Sequence, residues 1–135
     1  MNYDKYIREP TKSELDFFKN NTNVGGYASP DNKIVHNPYK KLSPQERFGI
    51  SINEGTRLFL RNNPLYQQIL TNYTNTEKQK QTLNSYSKNH QDINDTIAGR
   101  YMSNDPSIND YTLEQKIKLN ILKLLMDNNI GNTDF

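Results

Sequence analysis

Thr11 with Glu14, Ser43 with Glu46 and Thr112 with Gln115 each set a Ser or Thr three residues ahead of a Glu or Gln at the head of an apolar stretch of this 135-residue chain. This is the capping-box spacing, in which the hydroxyl accepts from the backbone N–H three residues on and the longer side chain reaches back to the N-cap N–H. Three helix starts are therefore written into the chain. The second is the strongest, because Pro44 occupies the first helical position, where its missing N–H would have had no partner anyway. From there Phe48, Ile52, Gly55 and Phe59 recur at i, i+4, i+7 and i+11, with Ile50, Leu58 and Leu60 widening the stripe. Asn62-Asn63-Pro64 ends it. The first helix is short, carrying Leu15, Phe17 and Phe18 and fraying at Asn20-Asn21. The third is predicted to bury Ile117, Ile121, Leu124 and Leu125, with Leu122 alongside, and Gly131 stands where a C-cap glycine belongs.

The intervening segments are less uniform. Gly25-Gly26 and Ser29-Pro30-Asp31-Asn32 are turn signals around Tyr27 and the run Lys33–His36. Ile34-Val35 is the one adjacent pair of β-branched apolar residues, so 25–28 and 33–36 are read as a hairpin. A lone hairpin is marginal in water and has to pack on a helix. Leu65, Tyr66, Ile69, Leu70 and Tyr73 fit a helical face. Lys78–Asn84 is nearly all polar, with Leu83 and Tyr86 as the nearby anchors, which suits either an exposed segment or a solvated helix. Ile93, Ile97 and Tyr101 predict a further helix from about Asp92 to Asn104-Asp105-Pro106. Before the first helix, Pro10 disfavours helix at Glu9, so residues 1–10 read as an extended arm. The predicted fold is mainly α with a minor β-hairpin, a small bundle of four to five helices. It spans one helical domain over 11–130, with 131–135 as a tail.

Composition limits how such a bundle can be held together. Apolar residues make up 33% of the chain, and mean hydropathy is -0.99. About one residue in seven is Asn. An AT-rich coding sequence and a polar, partly disordered binding protein both produce that bias; the surviving apolar periodicity favours the first. The core must be thin, and the nine Tyr and five Phe have to supply much of it. The chain has no cysteine, which rules out disulfides, thiol catalysis and thiolate zinc sites. No apolar run approaches the length that spans a bilayer, and the charged start MNYDKYIREP has no apolar signal region, so no membrane partner is expected. The net charge of +2 does not mark a nucleic-acid binder, although Lys40-Lys41, Lys116, Lys118 and Lys123 form local basic clusters. Nucleic acid is accordingly not the favoured partner.

Catalytic patterns are weak. The two histidines, His36 and His90, are far apart, and 105–110 is Asx-rich but lacks the glycine and distal Glu of a calcium loop. Asn53-Glu54-Gly55-Thr56-Arg57 has the layout of the HExxH zinc helix with Asn53 and Arg57 standing where the histidines would be. A guanidinium repels a metal, so this is no zinc site. What remains is a polar ridge: Asn53, Glu54, Arg57 and, one turn on, Arg61. Such a ridge is either a salt-bridged helix face or an Arg pair that docks an acidic partner or a phosphate. These four residues are the candidate interaction surface, and no catalytic, metal-binding or cofactor-binding residue is assigned.

Asn32-Lys-Ile-Val-His-Asn-Pro-Tyr39, Ser43–Glu46, Asn53–Arg57 with Arg61, Asp95–Arg100, Asp105-Pro-Ser107 and Thr112–Gln115 together resemble a family of small tailed-bacteriophage proteins that has no assigned activity. The likeness covers roughly residues 8–116; Tyr73–Asn89 and the residues after Lys118 depart from the pattern. The resemblance implies a phage origin and carries over no catalytic residue. The expected function is that of a non-enzymatic phage protein acting by protein–protein contact, as a minor virion or virion-assembly component. The alternative is a host-takeover factor that binds and inhibits a host protein or nucleic-acid complex. Either would place the chain in the virion or the host cytoplasm, with the protein partner's identity and the oligomeric state open.

Overall fold

All three capping boxes close in the computed structural model, which describes residues 2–70 and 90–129. Glu14 N donates to Thr11 Oγ1 at 3.3 Å while Thr11 N donates to Glu14 Oε1 at 2.8 Å. The same exchange joins Ser43 with Glu46 and Thr112 with Gln115. They start α1 (Lys12–Asn20), α2 (Pro44–Asn62) and α4 (Leu113–Asn129); α3 spans His90–Met102. Strands β1 (Gly26–Ala28) and β2 (Ile34–His36) pair antiparallel with Tyr27 opposite Val35. Asn32 turns the loop between them at φ 60, a left-handed conformation that Asn tolerates. Three 3₁₀ turns, Asp4–Tyr6, Pro64–Leu70 and Pro106–Asp110, complete the described elements. The fold is mainly α with one two-stranded hairpin.

Helix α2 is the centre of the packing. Helix α3, both strands and the Pro64–Leu70 turn lie against it, and α4 closes the core from the side of that turn. Ile52, Leu58, Phe59 and Leu60 of α2 meet Ile34, Leu70, Ile97, Ala98, Leu119, Leu122 and Met126 in one cluster. Tyr66 stacks on Phe59 with centroids 5.1 Å apart and planes at 9°, an aromatic pair that seals one end.

Four sequence expectations are corrected. The arm of residues 1–10 is not simply extended: it contains a 3₁₀ turn and places Tyr3 and Tyr6 in the core. Ile7 then bridges Ile34, and Arg8 N donates to Ile34 O at 3.1 Å. A chain short of aliphatic residues fills its interior with tyrosines from wherever the backbone can bring them. Phe48 does not belong to the core stripe of α2; it is 59% exposed, because the buried part of the helix begins only at Ser51. The Pro64–Leu70 stretch is 3₁₀ rather than α, burying Leu70 and leaving Leu65 outside. Finally, α4 buries Gln115, Leu119, Leu122 and Met126, whereas Ile117, Ile121 and Leu124 face away from the core. Expectations about Tyr73, Lys78–Asn84, Leu83, Tyr86, the tail 131–135 with Gly131, and the side chains of His90 and Ile93 lie outside the described residues.

Candidate interaction site

The ridge on α2 is brought together as its spacing requires, but it faces protein more than solvent. Glu54 is largely buried, and its carboxylate lies 3.5 Å from Arg57 Nε. Burial pushes its carboxyl above the usual carboxylate range, against the opposing pull of Arg57, the Ala28 backbone and Arg61. Arg57 Nη2 donates to Thr96 Oγ1 on α3 at 2.7 Å. Arg61 Nη1 donates to Ser29 O at 2.7 Å and Nη2 to Ala28 O at 3.2 Å, so its guanidinium holds the end of β1. Asn53 Oδ1 is buried with no hydrogen-bond partner among the described residues, and a Cβ added at Gly99 of α3 would lie 2.4 Å from it. The ridge is therefore the joint between α2, α3 and the hairpin. His36 belongs to the same joint, with Nε2 2.9 Å from Ser51 Oγ, and burial lowers its pKa.

Asn53 and Glu54 also line an open cleft of about 410 Å³ between the hairpin, α2 and the residues after α3. Its other charged groups already have structural roles. Lys40 Nζ donates to Asn23 O at 3.0 Å, Glu46 closes the Ser43 box, and Asp105 accepts from Ser107 N at 2.8 Å. Among the described residues no group of three or more His, Cys, Asp or Glu is placed to hold a metal ion.

A second polar centre was not visible in the sequence. Arg8 forks between two carboxylates: Nη1 and Nη2 donate to Glu14 at 2.6 and 3.0 Å, and Nε and Nη2 donate to Asp31 at 3.0 Å each. The Tyr27 hydroxyl donates to Glu14 and the Ser29 hydroxyl to Asp31. Hydrogen bonding to Arg8 pulls the Glu14 carboxyl down to about 2 and holds Asp31 still further below its usual range. Burial, then Glu14, raises Tyr27 to about 12. One guanidinium thus clasps the N-terminal arm, α1 and the hairpin loop together. Glu14 had a sufficient reason to be present as a cap, and Asp31 is 23 positions from Arg8, so neither betrayed the clasp.

The outer face of α4 differs in kind. Leu113, Ile117, Ile121 and Leu124, at i, i+4, i+8 and i+11, are 74%, 53%, 48% and 59% exposed. Turning about 100° per residue, they form one stripe on the side opposite Leu119, Leu122 and Met126. A soluble helix is normally apolar on the core side and polar on the other; one that is apolar on both has the composition of a helix covered on both. Single exposed apolar residues are ordinary, but four aligned on one helix form a patch of the kind that marks interaction surfaces. Comparison with family models, curated proteins and solved structures finds no match for this chain.

Proposed function

We propose that this protein is not an enzyme and acts by protein–protein contact through the outer face of α4. The observation that carries the reading is the exposed stripe Leu113, Ile117, Ile121 and Leu124 on a helix whose opposite face already closes the core. The partly solvated Arg57–Arg61 ridge is a weaker candidate, because its guanidinium groups already donate to Thr96, Ala28 and Ser29. No helix of the described residues is long and apolar enough to cross a membrane. The test is affinity capture with the full chain and with Ile117→Asp. A specific protein held by the first and lost by the second supports the contact, and capture indifferent to the substitution overturns it.

The likeness of Asn32–Tyr39, Ser43–Glu46 and Asn53–Arg57 to small tailed-phage proteins supports a role as a minor virion or virion-assembly component. Mass spectrometry of purified particles checks this. The chain is expected among the virion proteins; its absence there together with capture of a host protein from infected cells would favour the host-takeover alternative.

A further inference from the structure

The two edges of the α4 stripe are unlike. On one side Lys118 Nζ lies 3.2 Å from Glu114 Oε1, so that edge neutralises itself. On the other stand Lys116 and Lys123, two turns apart, about 10 Å along the axis at 1.5 Å per residue. Neither forms an ion pair with a described residue. Asp127, one turn beyond Lys123, is close enough to Tyr3 to oppose ionisation of that phenol. The stripe is therefore a row of four apolar side chains bordered on one side by two ammonium groups that pair with no described residue, with Asp127 at the end of that edge, and on the other by a closed pair.

We infer that the stripe docks an amphipathic helix of a partner protein whose apolar face is edged by carboxylates two turns apart. This rests on the contact reading above and names the occupant of the same site. Helix-on-helix packing suits a stripe at i, i+4, i+8 and i+11, since such rows interdigitate with the same rows on a facing helix. Charge decides which helix. A second copy of α4 packed antiparallel would set its lysine edge against this one, adding cations beside Lys116 and Lys123. The four apolar side chains alone also cover much less than the roughly 800 Å² per partner of a stable interface. An acidic-edged helix pairs both ammonium groups and needs no large area, giving a salt-sensitive, reversible contact.

The inference is tested with two synthetic helical peptides that share one leucine stripe, one edged by Glu at i and i+7 and the other by Lys at the same positions. Binding to the full chain is measured at low and at physiological salt. The glutamate peptide is expected to bind at least tenfold more tightly than the lysine peptide, with a preference that shrinks as salt rises. Lys116→Glu with Lys123→Glu should reverse the preference, and Ile117→Asp should abolish binding of both while the thermal midpoint stays within a few degrees. Equal affinities, or no binding of either peptide, overturn the inference. So does a concentration-dependent dimer that Ile117→Asp dissolves, or adsorption to phosphatidylglycerol vesicles without peptide discrimination. If Ile117→Asp abolishes partner capture but the double lysine reversal leaves it intact, the contact on α4 stands and the acidic edge falls.

Discussion

The ring of Tyr3 lies so close over Gly55 that a Cβ at that glycine would sit 2.3 Å from Tyr3 Cγ. The two residues are the point where the N-terminal arm is fitted into α2, and the fit exists because one of them has no side chain. Burial also pushes the Tyr3 phenol well above its usual range, as expected of an aromatic enclosed on nearly all sides. Gly55→Ala should therefore destabilise the fold. Helix propensity favours Ala by about 1 kcal/mol, but overpacking a buried ring that has nowhere to move costs about 1–3 kcal/mol. Gly49→Ala on the same helix, where an added Cβ meets nothing within 4 Å, should raise stability by up to about 1 kcal/mol. Urea midpoints of the two variants check the pair; equal effects at both sites would remove the Tyr3 packing argument.

The Arg8 clasp predicts an acid-sensitive component of stability. Glu14 and Asp31 have folded pKa values below their unfolded ones, so their contribution is present above the unfolded value and is lost as pH falls through the folded one. For Glu14 that window runs from 4.5 down to about 2. With Arg8 a quarter exposed, the loss from the Glu14 pair alone is discounted to about 1–2 kcal/mol. Arg8→Gln should be less stable at pH 7 and show a flatter decline between pH 4.5 and 2. Parallel acid curves for the two proteins would show that the clasp does not hold the arm.

Phe48 and Phe59 occupy one face of α2 by periodicity, yet only Phe59 is buried. Phe59→Ala should cost about 3–5 kcal/mol, whereas Phe48→Ala should change stability by no more than about 0.5 kcal/mol. Thermal midpoints of the two single variants suffice; similar losses would mean the N-terminal turns of α2 are covered after all.

That contrast shows what was legible in the chain. Helix starts were readable because a capping box is a local contract between residues three apart, and the hairpin because Asn32 and Ile34-Val35 announce their backbone states. Which apolar residue faces inward was readable only where a helix has a single apolar face. On α4 the rows Ile117/Ile121/Leu124 and Leu119/Leu122/Met126 both satisfy helical spacing, and only the position of the rest of the core separates them. The ridge Asn53, Glu54, Arg57 and Arg61 was found as a row, but its orientation depends on α3 and the hairpin arriving from elsewhere in the chain. Tyr3 over Gly55 and Arg8 with Asp31 are long-range meetings that no local pattern encodes.

The Glu54–Arg57 pair predicts a pH response opposite to that of the clasp. Glu54 is a buried carboxyl whose folded pKa is raised, so the folded state binds its proton more readily than the unfolded chain, and stability contributed here rises as pH falls toward the unfolded value of 4.5. Arg57→Ala removes the ion-pair partner of Glu54 and the donor to Thr96, leaving only the Ala28 backbone and Arg61 to offset the buried charge at neutral pH. The variant should lose about 1–3 kcal/mol at pH 7 and recover part of that loss as pH is lowered from 7 to about 5. Adding Glu54→Gln in the same background should restore most of what acid restores, because the amide needs no counter-cation. Urea unfolding of the single and double variants at pH 7 and 5 measures this coupling. A loss that is independent of pH, and unchanged by Glu54→Gln, would mean that Arg57 acts only through its bond to α3.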